Sequence, residues 1–397
     1  MDPFARHAAL DAGRGRALKV ILSIDPVKFP LTGIGRYTFE LARQLVRIDE
    51  IESLRFLRGA RICDSIPVPA PTSGALGGIR GRLLKSRLAV GLYRLTAPRL
   101  KARALRGFED YLFHGPNFYL PPFGGRSVVT MHDISPYTWS SCHPPERVRY
   151  MQAEIELSLT RASMLITDSE FTRREIASQF GWPLEKIRAV SLASSDEFHP
   201  RALMDFQMLQ ERYGLAPGEY SLFAGTIEPR KNLLALLDAY EMLPGAMRKR
   251  WPLVLVGYKG WNSDAIHARI ARAEHAGWVR YLGFVAAEDL PLIFAGARLF
   301  TFPSLYEGFG LPVLEAMASG VPVVCSNTSS LPEVAGDAAA MCDAPDVDAL
   351  SHLIAAGLED EAWRASAHDK GLARAAQFSW QRCARETAVV YQAALQG

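Results

Sequence analysis

TFPSLYEGFGLPVLEAMASGVPVVCS, from Thr301 to Ser326, passes from an apolar strand through a loop into a helix and out to a second apolar strand. The first strand runs to Pro303 and breaks at Glu307-Gly308. The helix begins near Gly310-Leu311-Pro312, where a proline in the first turn leaves no hydrogen bond unmade. Gly320 is a common kind of C-terminal cap, and Val321 to Cys325 reads as the next buried strand. Glu315 lies early in the helix, where side chains lean back toward the N-terminus, and Glu307 sits in the loop at that same end. Two carboxylates therefore converge on a helix start that offers backbone N–H groups and partial positive charge. Carboxylates accept hydrogen bonds from hydroxyls, so the pair suits a polyhydroxylated ligand, and the helix end suits its phosphates. On spacing alone a plainer reading stands beside this one, in which Glu315 is only a carboxylate stabilised by the helix dipole.

Similar alternation extends along the whole chain. Its 397 residues suffice for two α/β domains of ordinary size. With 49% hydrophobic and 22% charged residues it has the composition of a globular protein, and no apolar run reaches transmembrane length. The first twenty residues lack the apolar core of a secretory signal and read as a loose tail. Five scattered cysteines, Cys63, Cys142, Cys325, Cys342 and Cys383, point to reduced thiols in the cytoplasm, and no Cys/His spacing reads as a metal site.

In the first half, Ala17 to Ile24 reads as a buried strand and Tyr37 to Ile48 as a helix, with Gly33 and Gly35 in the loop between them. Glycines there let backbone N–H groups approach a ligand, although a lone G-x-G is weak evidence and in isolation a plain turn explains them better. Ile79 to Gly107 holds nine Lys or Arg and no Asp or Glu, with Leu84, Leu88, Leu92 and Leu95 at helical spacing. It reads either as a solvated basic face or as a site for anionic lipid or a lipid-diphosphate acceptor; no nucleic-acid recognition motif accompanies it. Arg126 to Thr130 is a strand that delivers His132 and Asp133 at its carboxyl end, where ligands of open α/β sheets bind. A structural hydrogen-bonding role for His132 is the bland alternative. Met164 to Thr167 is a further strand, and Ser169 caps the helix that follows.

The second half opens at Tyr220 with strand, loop and helix. Gly225 ends the strand, and Arg230 and Lys231 precede the helix. Cations at a helix N-terminus oppose its dipole, so something anionic should compensate them, and a diphosphate would do so. Leu253 to Gly257 and Val279 to Gly283 are further strands. Phe284 and Val285 follow the second of these, and Glu288-Asp289 open the next helix. Val347 to Leu358 and Phe378 to Gln396 are helices.

The run E-G-F-G-L-P-x-x-E-A-M-A-x-G-x-P-V resembles the E-x7-E motif of retaining family-4 glycosyltransferases with the GT-B fold. The resemblance spans roughly residues 19 to 395 and is dense only in the second half. It implies two doubly wound, Rossmann-like α/β domains facing a cleft: 1–200 binding the acceptor, 201–377 binding the nucleotide sugar, and 378–397 a helix crossing back to the first domain. It also implies that Glu307 contacts the donor sugar and Glu315 the ribose. Arg230 and Lys231 match the family's phosphate-binding pair. Gly33 and Gly35 would face the diphosphate, although this loop lacks the common double glycine. His132 and Asp133 fall near donor sugar and acceptor, and Phe284 and Val285 by the base. Gly225, Tyr306, Gly308, Phe309, Gly310 and Leu311 complete the expected substrate contacts.

No cofactor and no metal are expected, since electrostatic stabilisation by Arg230 and Lys231 replaces the divalent ion of other transferase folds. HDISPYTWSSCHPPERVRYM resembles bacterial mannosyl- and rhamnosyltransferases of lipopolysaccharide O-chains. GDP-mannose is thus the expected donor, ahead of a GDP-6-deoxyhexose or a UDP-sugar, with a glycan or lipid-linked glycan as acceptor. A cytoplasmic enzyme docking on the anionic inner face of the membrane is the corresponding location. A GT-B nucleotide-sugar epimerase and a non-catalytic sugar-nucleotide scaffold are the alternatives.

Overall fold

The computed structural model describes residues 18–31, 33–67 and 87–396, with side chains of 87–95 left aside. It divides into two compact units, one of residues 1–130, 154–166 and 384–397, the other of residues 131–153 and 167–383. Two mainly parallel sheets flanked by helices confirm the α/β class.

The first sheet has the order β3-β2-β1-β4-β5-β6-β7. Its strands are β1 Leu18–Ser23, β2 Ile51–Arg58, β3 Arg61–Cys63, β4 Leu112–Gly115, β5 Ser127–Met131, β6 Met164–Thr167 and β7 Ile187–Ala189. β1 pairs in parallel with both β2 and β4, and β4 with β5, whereas β3 turns back antiparallel on β2. The second sheet has the order β10-β9-β8-β11-β12-β13, built from β8 Ser221–Ala224, β9 Leu253–Val256, β10 Val279–Gly283, β11 Leu299–Phe302, β12 Val323–Ser326 and β13 Ala339–Cys342. All its pairings are parallel. β8, β9, β11 and β12 are buried along their whole length, as expected of strands covered on both faces.

Strand order reverses between β8 and β11 in the second sheet. In open α/β sheets ligands bind outside the strand carboxyl ends at such a switch point. The loops after β8 and β11 are those that carry Arg230, Lys231 and Glu307.

Several local expectations change. The first helix is Gly33–Leu45, so Gly33 and Gly35 lie inside its first turns and not in the loop before it. The hairpin β2–β3 has no counterpart in the sequence reading, because IESLRFLR mixes charged with apolar residues and gives a weak strand signal. Of the basic stretch 79–107, residues 79–86 lie outside the described residues, and a helix covers Arg87–Ala104. Lys101 in that helix is not a surface cation. It is buried, its ammonium donates to Asp25 Oδ2 at 2.5 Å, and it lies 4.6 Å from the Tyr119 ring centroid. All five cysteines are free thiols. No described helix is long and apolar enough to cross a membrane.

Candidate active site

The segment after β8 forms a single 3-10 turn, Pro229–Lys231, before the helix Leu233–Met242. Asn232 links the two in the left-handed region (φ 57°), and its amide nitrogen donates to the carbonyls of Pro303 and Ala344. This fastens the turn to the loop after β11. Lys231 Nζ is consequently held 5.0 Å from the centroid of the Phe302 ring on β11.

Between these loops lies a buried cluster of four charged side chains. Lys231 Nζ donates to Glu307 Oε1 at 2.5 Å, and Arg230 donates to Glu307 Oε2 at 3.2 Å and Glu228 Oε1 at 2.8 Å. Arg230 also donates to the Tyr306 carbonyl at 2.6 Å, while its own carbonyl accepts from the Leu305 N–H. The anion that the sequence reading asked for beside Arg230 and Lys231 is supplied by Glu307 and Glu228. Burial would raise the Glu307 carboxyl, but Lys231 and Arg230 outweigh it and hold the group below the usual carboxylate range. Burial opposes the Arg230 charge too, yet Glu307, Asp133 and Glu228 push its pKa up. At Lys231 burial is the larger effect and draws the ammonium pKa down.

Glu307 is placed by its own loop. Its N–H donates to Ser329 Oγ at 2.9 Å, and Ser330 Oγ donates to the carbonyls of Glu307 and Phe309. Gly308 lies so close to the His132 carbonyl that a Cβ there would be 1.8 Å from its oxygen, so only glycine fits. Gly310, at φ 116°, opens the helix Leu311–Ala318, which contains the buried Glu315. Tyr306 OH accepts from the Ile134 N–H and donates to Glu175. Burial raises the Glu175 carboxyl and, with Asp133 and Glu175 nearby, the Tyr306 phenol.

His132 and Asp133 follow β5. His132 Nδ1 lies 2.7 Å from Asp168 Oδ2, and Asp133 Oδ1 accepts from the Ser135 N–H, bracing its own loop. His132, Gly308, Tyr306, Glu307, Arg230 and Lys231 are thus brought together within the second unit, with Phe309 linked to Glu307 through Ser330. Gly225 (φ 158°) is close-packed beneath Gly257, whose added Cβ would meet the Gly225 oxygen at 1.8 Å. Phe284 is 62% exposed after β10, whereas the Val285 side chain is buried. Gly33 and Gly35 belong to the first unit.

Four participants were missed: Glu228, Asp168, Glu175 and Ser330. Glu228 is two residues from Arg230, and that proximity is its one local signal. The others offer no local signal: Asp168 and Ser330 stand just before helices and Glu175 lies in the middle of one. Among the described residues no group of three or more His, Cys, Asp or Glu is gathered as a metal site.

Residues 210–374 match the glycosyl transferases group 1 family. An Escherichia coli protein named O-antigen chain mannosyltransferase B is 47% identical over 379 residues, which cover 94% of this chain and all of that relative. The Escherichia coli serotype-specific mannosyltransferase WbdA is 34% identical over 271 residues, 65% of this chain and 32% of the longer relative. In fold, the chain superposes on WaaG, a glycosyltransferase involved in lipopolysaccharide biosynthesis, with a TM-score of 0.68 at 13% identity, covering 94% of this chain and 99% of that one.

Proposed function

The chain belongs to the glycosyl transferases of group 1, and from that premise we propose that it is a retaining mannosyltransferase using GDP-mannose to extend an O-antigen or related glycan. The observation that carries this reading is the pair formed by the partly buried Arg230 and the buried Lys231 at the β8–β11 switch point, facing Glu307. Such a pair suits a departing diphosphate: two fixed cations offset the charge that builds as the glycosidic bond breaks. Glu307 would exchange its ion pairs for hydroxyls of the donor sugar as the diphosphate takes over the cations. Glu315 would take the ribose, and Phe284 and Val285 would border the base. His132 would stand near the reacting sugar, with Asp133 beside it. No carboxylate is placed as a nucleophile in this scheme, so the acceptor hydroxyl attacks from the face that the diphosphate leaves. The mannosyltransferase names of the relatives support the sugar.

The decisive experiment supplies radiolabelled GDP-mannose, UDP-glucose, UDP-galactose and a GDP-6-deoxyhexose in turn, with a lipid-linked O-chain primer. Transfer from GDP-mannose with an α-linkage in the product is expected. Transfer from a UDP-sugar alone, or inversion at the anomeric carbon, overturns the reading. Metal-free catalysis belongs to the same proposal: activity should survive EDTA, and loss restored by Mg²⁺ or Mn²⁺ would refute it.

Docking on an anionic membrane surface through residues 79–107 is also proposed, with eight cations in place of nine now that Lys101 is paired with Asp25. Each cation near such a surface contributes about 1 kcal/mol. Co-sedimentation with anionic vesicles should be seen at low salt and weaken at high salt. Indifference to anionic lipid at low salt would reduce the stretch to a solvated face.

A further inference from the structure

Asp168 stands between the end of β6 and the capping residue Ser169, and its side chain is 4% exposed. One oxygen, Oδ2, is 2.7 Å from His132 Nδ1, while Oδ1 is buried with no hydrogen-bond partner among the described residues. Burial pushes this carboxyl up against the attraction of His132. A buried carboxylate with an unsatisfied oxygen is costly, and a neutral amide of the same shape would avoid the buried charge, but its NH2 can donate to Nδ1 and favour the other tautomer. The next residues grip the other half of the site. Ser169 Oγ and Thr172 Oγ1 donate to the Gly308 carbonyl at 2.7 and 3.2 Å, and Gly308 itself lies against the His132 carbonyl. One short segment, 168–172, thus holds both the His132 ring and the loop that carries Glu307.

We propose that Asp168 is a positioning residue for glycosyl transfer, acting through His132. Its carboxylate accepts from Nδ1–H and so selects the tautomer whose lone pair is on Nε2. It also fixes the plane of the ring, so that Nε2 can accept from a hydroxyl of the donor sugar or the acceptor. This rests on the glycosyltransferase reading of the site given above.

A double-mutant cycle over Asp168→Asn and His132→Ala tests it. Asp168→Asn keeps the shape of the side chain, so the variant should fold with an undiminished Tm and bind bare GDP as the wild type does. Its kcat should fall by about tenfold with donor KM unchanged, a loss typical of a misdirected partner to an active group. With His132 already replaced, the same change should cost nothing further. An equal loss of kcat with and without His132, or a joint fall in Tm and GDP affinity, makes Asp168 merely structural and overturns the proposal. A second measurement does not depend on turnover. In ¹⁵N NMR of histidine-labelled protein, neutral His132 should carry its proton on Nδ1 in the wild type. Protonation on Nε2 alone overturns the proposal whether or not transfer is detected. Failure of the functional reading would show differently, as a wild type that transfers sugar from no nucleotide donor.

Discussion

His114 and His132 are alike in sequence and unlike in the structure. Both lie near the carboxyl end of an apolar strand, His114 as the penultimate residue of β4 and His132 as the first residue after β5. His114 is 0% exposed, with Nδ1 2.7 Å from Tyr391 OH and Nε2 2.8 Å from Thr130 Oγ1. Thr130 Oγ1 in turn bonds Tyr37 OH at 2.9 Å. These hydroxyls tie the helix Trp380–Gln396 and the helix Gly33–Leu45 to the strands of the first unit. His132 retains 15% side-chain exposure and meets a buried carboxylate. A histidine bound by hydroxyls at both nitrogens is a structural pin, whereas one aimed by a carboxylate is arranged for chemistry. The partner separates the two, together with the place of His132 one residue beyond its strand, where His114 is still inside the paired sheet.

The largest effect that would sharpen this contrast comes from the cations that His132 would serve alongside. Replacing Lys231 or Arg230 with Ala should lower turnover by roughly 10²-fold, about 3 kcal/mol of lost charge stabilisation, and the double variant by more. Wild-type turnover in the double variant would remove both from the diphosphate site.

The histidines themselves come next. His132→Ala should lower kcat by about 10²-fold, the lower range for an active proton-accepting group, with little change in Tm. His114→Ala should do the reverse. It strands the Tyr391 and Thr130 hydroxyls at a cost of about 2 kcal/mol, lowering Tm by several degrees while the folded fraction keeps its kcat. If the two variants affected Tm and kcat alike, the contrast would collapse.

A smaller effect separates the glutamates. Glu307→Gln releases Lys231 and Arg230 from their internal counter-ion, so calorimetry should find bare GDP bound about fivefold more tightly, or ~1 kcal/mol, although turnover falls. Glu315→Gln should weaken GDP binding. Changes of the same sign in both would undo their assignment to different parts of the donor.

Smallest is the dependence of stability on pH. The lowered pKa of Glu307 means that its charge stabilises the fold above its ordinary value of 4.5, and that this contribution is lost as pH falls through the lowered folded value. Asp168 and Glu175 are raised, with the opposite sign: their charged forms weaken the fold above the raised values, and the penalty fades as pH falls toward ordinary carboxylate values. At pH 7.5, Glu307→Gln should therefore lower Tm, while Asp168→Asn and Glu175→Gln leave it unchanged or raise it slightly. Scanning fluorimetry from pH 4 to 8 would show these differences shrinking at the acid end. A fall in Tm for Asp168→Asn matching that of Glu307→Gln would mean that Asp168 is held by favourable contacts and not at a cost.

Strong local patterns were legible in advance. The strand, loop and helix around Glu307 emerged within a residue or two, because continuous apolar runs and the Gly310 and Gly320 boundaries leave few alternatives. Ser169 was recognised as a cap, and its side chain does accept from the Thr172 N–H. Where the pattern was weak or the partner remote, the reading failed. Gly33 and Gly35 read as loop because glycine ordinarily disfavours a helix, and β2 gives no clear signal because its charged residues blur the strand period. Lys101 reads as one of nine surface cations in the basic stretch because its counter-ion, Asp25, lies 76 residues away in the chain.

Local chemistry was enough to establish a parallel α/β protein, the Glu307–Glu315 motif with its glycines, and an uncompensated pair of cations at Arg230 and Lys231. Periodicity and turn residues act over a few positions, so the chain spells these out directly. Strand order does not arise from any such short window. Only when β11 is inserted beside β8 do Lys231 and Glu307, also 76 residues apart, come within 2.5 Å. Folding likewise sets Asp168 against His132 across 36 residues. Those pairings turn separate charged residues into a site, because burial at a switch point makes each charge depend on a partner that only the sheet topology can supply.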